Sequence, residues 1–207
     1  NAQINPKKLK GFKKIKKKNK NKSLDLKIKN VANLISSKHR PVLHLGQGVK
    51  ISGAQNYLRK FLHKSKIPFA LTWNASDLIE TNHPFYIGRP GAFAERGTNF
   101  IIQNSDLYIA IGTRLPFMVT GYNSKDFARR ATKVMVDIDK TEIKNTNVNV
   151  DKKICCDAKY FFKTLLKYFS KQTKLSKKRE EWQDYCVKVR KKYPIVLNEF
   201  KKEKKTI

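Results

Sequence analysis

The sequence predicts an α/β fold, a doubly wound parallel sheet with helices on both faces. Two observations carry this prediction. Short, continuously apolar segments alternate with amphipathic segments whose apolar residues have helical spacing. Strands that are apolar throughout are buried on both faces, which is the arrangement of parallel sheets covered by helices. With 207 residues, 40% of them hydrophobic, the chain has enough material for one such core.

The first part of the chain supplies three elements and a glycine turn. Residues 24–36 have apolar positions at helical spacing and predict a helix. The apolar run at residues 41–45 predicts a strand, which ends in Gly46-Gln47-Gly48. Residues 52–65 place three apolar side chains on one face and predict the helix that follows the turn.

The same alternation continues to the end of the chain. The predicted elements are a strand over 68–73, a helix over 97–104, strands over 106–111 and 133–138, a short strand around 154, a helix over 158–169 and a charged helix over 174–192. The Tyr193-Pro194 pair ends that helix. The order predicts parallel strands joined by helical crossovers.

The net charge of +30 is concentrated at the two ends of the chain. Residues 1–40 carry 14 basic residues against one acidic residue, and residues 171–207 carry 13 against five. Such a basic arm would bind phosphates by counterion release, so a nucleic-acid partner is one alternative. The basic residues are 37 lysines and 9 arginines, and the first 22 residues offer only Phe12 for base stacking. These features favour solvated charge, and nucleic acid is not expected as the partner.

Other features of the sequence narrow the class of protein. The chain has neither an apolar run long enough to span a membrane nor a signal-peptide pattern at its N-terminus, so we expect a soluble, cytoplasmic protein without a membrane partner. Its first residue, Asn1, indicates an excerpt of a longer protein. Three cysteines without metal-ligand spacing are expected to be reduced thiols.

In a doubly wound sheet, ligands bind at the carboxyl ends of the strands, and there the glycine turn is the first candidate. Gly46 and Gly48 would let the backbone approach a pyrophosphate, or they form a tight structural turn. The dinucleotide fingerprint requires a third glycine, where Ile51 stands, and an acid after the next strand, where Thr72-Trp73-Asn74 stand. The turn is therefore not a standard NAD site.

Further candidates follow the later strands. Arg114, after Gly112-Thr113, would grip a phosphate or form a surface ion pair. Asp137 and Asp157 would accept hydrogen bonds from ribose hydroxyls, although Asp157 is equally explained as a helix cap. We interpret His44, inside an apolar strand, as a core histidine. No nucleophile and base with a local signature are found, and the residues indicate a nucleotide-sized cleft without catalytic groups.

At these residues the chain resembles the central domain of thiamine-diphosphate-dependent enzymes of the acetolactate synthase type. The matching blocks are residues 40–49 (RPVLHLGQGV), 83–91 (HPFYIGRPG), 103–114 (QNSDLYIAIGTR) and 136–143 (VDIDKTEI). The resemblance implies a Rossmann-like central domain over residues 23–172. Residues 1–22 resemble the linker from an N-terminal pyrimidine-binding domain, and residues 173–207 a helical, basic linker to a C-terminal diphosphate-binding domain.

The resemblance also implies the chemistry of the whole enzyme. Thiamine diphosphate with Mg²⁺ would be bound between those two other domains of paired subunits in a homodimer or homotetramer. The enzyme would be a 2-oxo acid carboligase or decarboxylase, in which the cofactor supplies the reactive carbanion. The activating glutamate and the metal-binding Gly-Asp-Gly motif of the family are absent from this sequence. The chain by itself is expected to hold neither catalytic nor metal-binding residues, and to be inactive.

In acetolactate synthases the central domain holds FAD, while other relatives place an ADP-like group in the same cleft or leave it empty. The matching contact residues here are Gly46, Gln47, Gly48, Thr72, Trp73, Gly91, Ala92, Phe93, Gly112, Thr113, Arg114, Asp137 and Asp157. The chain departs from the FAD-binding pattern at Gln47, at Phe93 in place of a histidine, and at Pro116-Phe117-Met118 in place of Asp-Asp-Arg. FAD and an ADP-like nucleotide both stay open as ligands.

Overall fold

Six parallel strands form a single sheet in the computed structural model, which describes residues 22–169, 176–197 and 199–200. The strands are β1 (Pro41–Leu45), β2 (Phe69–Leu71), β3 (Tyr86–Gly88), β4 (Leu107–Ile111), β5 (Thr132–Asp137) and β6 (Lys152–Cys155). Their order across the sheet is β3-β2-β1-β4-β5-β6. The order reverses between β1 and β4, and this confirms the predicted doubly wound fold.

Eight α-helices connect and cover the strands within the described residues. They are α1 (Lys22–Ser37), α2 (Gln47–Ile51), α3 (Gln55–Ser65), α4 (Arg96–Asn104), α5 (Phe117–Thr120), α6 (Lys140–Asn145), α7 (Ala158–Tyr168) and α8 (Lys177–Lys192). None of these helices is long and apolar enough to cross a membrane.

The core is divided into two layers by the sheet. On one face, alternate strand residues such as Leu43 and Ile109 pack with buried side chains of α1, α3 and α7. On the other face, Val42 and Tyr108 pack with α4 and α8. Strands β1 and β4 thus bury both sets of alternating side chains, which explains why they are almost entirely apolar, whereas β6 at the edge of the sheet has three exposed residues among four.

Helix α8 is docked on the sheet by specific contacts. Trp182 is buried, and its Nε1 donates a hydrogen bond of 3.2 Å to the carbonyl oxygen of Pro41. The Arg190 guanidinium lies over the Tyr86 ring and donates to the carbonyl oxygens of Tyr86 (2.9 Å) and Thr81 (2.8 Å). Although most side chains of α8 are charged or polar, one side of the helix is buried and belongs to the core.

Most predicted elements are present with ends shifted by up to three residues. The helix predicted over 52–65 begins at Gln55, because residues 47–51 form the separate helix α2 and Gly53 turns the chain at φ +66°. Strand β3 and the short helices α5 and α6 were not predicted. They are three to six residues long, too short for hydrophobic periodicity to be visible.

His44 is a core residue, as interpreted from the sequence. It is fully buried, and its Nδ1 lies 2.5 Å from the Tyr108 hydroxyl. Burial lowers the pKa of His44 to about 3, so the imidazole is neutral at physiological pH. The three cysteines are free thiols, as expected, and burial raises the pKa of Cys156 to about 12.

The N-terminal segment predicted as a linker lies outside the described residues, apart from Lys22 at the start of α1. Its predicted role as a linker therefore stays a prediction.

Candidate functional site

A cleft of about 640 Å³ opens at the carboxyl edge of the sheet, on both sides of the point where the strand order reverses. This volume lies in the range of small-molecule sites, roughly 300–1,000 Å³. Eleven of the thirteen predicted contact residues line it: Gly46, Gln47, Gly48, Thr72, Trp73, Gly91, Phe93, Gly112, Thr113, Arg114 and Asp137. Parallel strands bring these distant segments together because all their carboxyl ends meet at one edge.

The other two predicted residues do not line the cleft. Ala92 lines an adjoining pocket of about 200 Å³, and its backbone N–H donates to the carbonyl oxygen of Met118 at 2.8 Å. Asp157 caps helix α7, and its carboxylate accepts a hydrogen bond of 3.1 Å from the Tyr160 N–H. The capping role, one of the two alternatives predicted for Asp157, is the one that the structure shows.

Six further residues line the cleft that were not among the predicted contacts. They are Ile51, Asn74, Pro90, Pro116, Met118 and Val119. Each lies in the sequence a few residues from a predicted contact, in the segments that follow β1, β2, β3 and β4. Their general position could be predicted, because the loops that follow parallel strands border a cleft at the carboxyl edge of the sheet. The path of each loop, and so the residues that reach the cleft, could not be predicted from the sequence.

The glycines at the bottom of the cleft are required by the close approach of two backbones. The N–H of Gly46 donates to the carbonyl oxygen of Ile111 (2.9 Å), and the N–H of Gly48 donates to that of Gly112 (3.0 Å). A Cβ at Gly46 would overlap the Gly112 oxygen and lie 2.6 Å from the Thr113 Cβ. These contacts favour the structural turn over the phosphate cradle, because both N–H groups already have acceptors inside the protein.

Two charged groups border the cleft. Arg114 is paired through Nε with Glu142 Oε1 at 3.2 Å, and its side chain is 74% exposed. Asp137, at the end of β5, accepts a hydrogen bond of 2.9 Å from the N–H of Asp139. Arg114 therefore forms the predicted surface ion pair and still lies where an anionic ligand would reach it.

The remaining walls combine exposed aromatic surface with an unsatisfied acceptor. Trp73 is 55% and Phe93 is 74% exposed, values that are high for large apolar side chains in a folded domain. The Gln47 Oε1 is buried without a hydrogen-bond partner among the described residues. Flat apolar walls and a free acceptor suit a ligand with a planar ring and a polar hydrogen-bond donor.

The described part of the chain contains no cluster of histidine, cysteine or acidic side chains that could hold a metal ion. The groups that line the cleft include glycines, aromatic rings, amides, the Arg114 guanidinium and the Asp137 carboxylate, and they can bind and orient a ligand. Together with the doubly wound sheet they define an α/β domain with a ligand cleft at its carboxyl edge.

Comparison with known proteins gives the family of this domain. A family described as "Thiamine pyrophosphate enzyme, central domain" matches residues 28–165, and the chain belongs to this family. The match confirms the resemblance predicted from the sequence.

Individual relatives agree with this assignment. The chain is 38% identical over 140 residues to a probable acetolactate synthase large subunit of Methanococcus aeolicus, covering 68% of this chain and 23% of that protein. It is 31% identical over 178 residues to acetolactate synthase 2, chloroplastic, of Nicotiana tabacum, covering 85% and 26%. It is also 38% identical over 93 residues to 3D-(3,5/4)-trihydroxycyclohexane-1,2-dione hydrolase of Geobacillus thermodenitrificans, covering 45% and 15%. The chain spans about a quarter of the length of the acetolactate synthases that it matches.

Proposed function

We propose that this chain is the central domain of a thiamine-diphosphate-dependent carboligase or decarboxylase that acts on a 2-oxo acid, like an acetolactate synthase. The observation that carries the proposal is the family match over residues 28–165, with acetolactate synthases among the relatives. Thiamine diphosphate supplies the carbanion chemistry when it is bound. Its binding residues, with those for Mg²⁺, belong in this proposal to an N-terminal and a C-terminal domain reached through residues 1–22 and 173–207, and the chain alone is inactive.

In this proposal the cleft holds a nucleotide, either FAD or an ADP-like group. The volume of about 640 Å³, the exposed rings of Trp73 and Phe93 and the unsatisfied Gln47 Oε1 support a ligand that contains a planar ring. The cleft has the charges for both ends of a nucleotide: Arg114 for a phosphate and Asp137 for a ribose hydroxyl. The enzyme would be cytoplasmic and homo-oligomeric, assembled through its other two domains.

The role of the chain's own residues is to bind and to orient. The Gly46–Gly48 turn and Gly112 hold the ends of β1 and β4 together and so fix the floor of the cleft. Trp73 and Phe93 would cover the ring of the ligand and exclude water from it. Arg114 would neutralise phosphate charge while it keeps its contact with Glu142.

The test is a nucleotide titration of the full-length protein. Purified protein is examined for flavin absorbance, and ADP is titrated calorimetrically into protein freed of bound nucleotide. Because Arg114 is largely exposed and shares its charge with Glu142, we expect Arg114→Ala to weaken ADP binding about fivefold, equivalent to roughly 1 kcal/mol. The matched control is Arg130→Ala, an exposed arginine remote from the cleft lining. If neither flavin nor millimolar ADP binds the unmodified protein, the assignment of the cleft is wrong.

A further inference from the structure

A second cavity, of about 580 Å³, lies beside the mouth of the cleft. Its walls come from the loop before α4, from the first turn of α4 and from the chain that follows α8. Trp73 and Phe93 border both cavities. We call this second cavity the side groove.

The walls of the side groove are unusually apolar for an exposed surface. Besides Trp73 and Phe93, the side chains of Ile195 (58% exposed), Leu197 (38%) and Phe200 (53%) border it. Contiguous apolar patches of this kind on a folded domain commonly mark a binding site. The walls predict an apolar body in whatever occupies the groove.

Cations without a carboxylate partner lie in the same groove. The Arg96 guanidinium carbon lies 5.6 Å from the centroids of both the Phe100 and the Tyr193 rings. The Lys192 ammonium lies 5.6 Å from the Tyr193 centroid as well, so two cations contact the same ring. Neither cation has an ion pair or a side-chain hydrogen bond within the described ranges 22–169, 176–197 and 199–200.

Among the described residues, one acidic side chain borders the groove, and it is already engaged. Glu95 pairs with the Arg89 guanidinium at 3.5 Å and accepts a hydrogen bond of 3.1 Å from the Arg89 N–H. Arg96 and Lys192 therefore have no carboxylate partner among the described residues. The ring contacts hold the guanidinium in place and leave its N–H donors available to an anion.

We propose that the side groove binds an amphipathic monocarboxylate. The carboxylate bridges Arg96 and Lys192, and the apolar body lies against Trp73 and Phe93. A guanidinium with free donors suits a carboxylate, which accepts two parallel hydrogen bonds. The apolar walls distinguish this ligand from a simple inorganic anion. The inference does not depend on a nucleotide in the neighbouring cleft.

The experiment uses 3-phenylpropanoate as the probe, with calorimetry for affinity and tryptophan fluorescence for contact with Trp73. This chain has two tryptophans, and Trp182, on the sheet-facing side of α8, is buried, so a fluorescence change of this chain on binding reports on Trp73. We expect saturable binding with a Kd of about 1 mM or below and at least fivefold weaker binding of the neutral 3-phenylpropanamide.

Substitutions then assign the binding to the groove. Arg96→Gln and Lys192→Gln should each weaken the probe about fivefold or more, Arg96→Lys should retain part of the affinity, and the control Arg130→Gln should retain all of it. Equal binding of acid and amide, or equal binding of inorganic phosphate, would overturn the proposal. Loss of affinity in Arg130→Gln, or no binding at 10 times the expected Kd (about 10 mM), would overturn it as well. An ADP titration of the same sample tests the cleft separately.

Discussion

Replacement of Gly46 by alanine tests the backbone contact on which the cleft is built. Gly46 has φ −106° and ψ 177°, a conformation that alanine adopts freely, so its cost arises from contact alone. The added Cβ would overlap the carbonyl oxygen of Gly112 and lie 2.6 Å from the Thr113 Cβ. Overpacking of this kind destabilises by about 1–3 kcal/mol. Separation of the two loops would also weaken the hydrogen bonds from Gly46 to Ile111 and from Gly48 to Gly112, at about 1 kcal/mol each.

The expected loss for Gly46→Ala is therefore about 2–5 kcal/mol in the free energy of unfolding. Gly53→Ala is the matched control, because Gly53 has φ +66° and its nearest neighbour, the Lys159 ammonium, is 4.0 Å from the added Cβ. That variant introduces backbone strain without a clash, at about 1 kcal/mol. Urea unfolding of both variants gives the comparison. A loss at Gly46 no larger than the loss at Gly53 would refute the close-approach reasoning.

The remaining predictions concern the core and helix α8. Because the folded protein keeps His44 at a pKa of about 3 against 6.5 when unfolded, the unfolded chain binds more protons between these values, and stability falls as the pH falls from 6.5 to 3. Urea unfolding at each pH should show that the free energy of unfolding is about 2 kcal/mol lower at pH 5 than at pH 7. This loss should be absent from the double variant His44→Leu/Tyr108→Phe. Identical pH profiles for the double variant and the unmodified protein would contradict the assignment. Trp182→Phe should destabilise by about 1–2 kcal/mol, because the buried Pro41 carbonyl loses its donor. Tyr185→Phe, which changes an exposed neighbour, should stay within about 0.5 kcal/mol, and equal losses in the two variants would show that α8 is not anchored by that bond.

The fold could be predicted from the sequence because the apolar residues of each long element follow one dominant pattern, either a continuous run or a helical spacing. Continuous apolar runs predicted β1, β4 and β5 within two residues at either end, and helical spacing did the same for α1, α4 and α7. Strand β3 was missed because its three residues, Tyr86–Gly88, show no period of their own. It is stabilised by tertiary contacts, including the hydrogen bond from Arg190 to the Tyr86 carbonyl, which connects residues 104 positions apart.

The candidate site was predictable to the level of its strand ends. Topology alone brings Gly46, Trp73, Arg114 and Asp137 to one edge, since all parallel strands end there. The internal partners of these residues were not predictable. Spacing does not reveal that Gly46 donates to Ile111, and the Arg114–Glu142 pair depends on where the unpredicted helix α6 begins.

Thiamine diphosphate titration tests the central claim most directly. The 207-residue chain and the full-length protein are titrated calorimetrically with thiamine diphosphate in the presence of Mg²⁺, and consumption of pyruvate is followed in both. We expect the full-length protein to bind the cofactor with micromolar affinity, and we expect the chain alone neither to bind it nor to consume pyruvate. Micromolar binding by the chain alone, or no binding by the full-length protein, would contradict its assignment as the central domain of a thiamine-diphosphate-dependent enzyme.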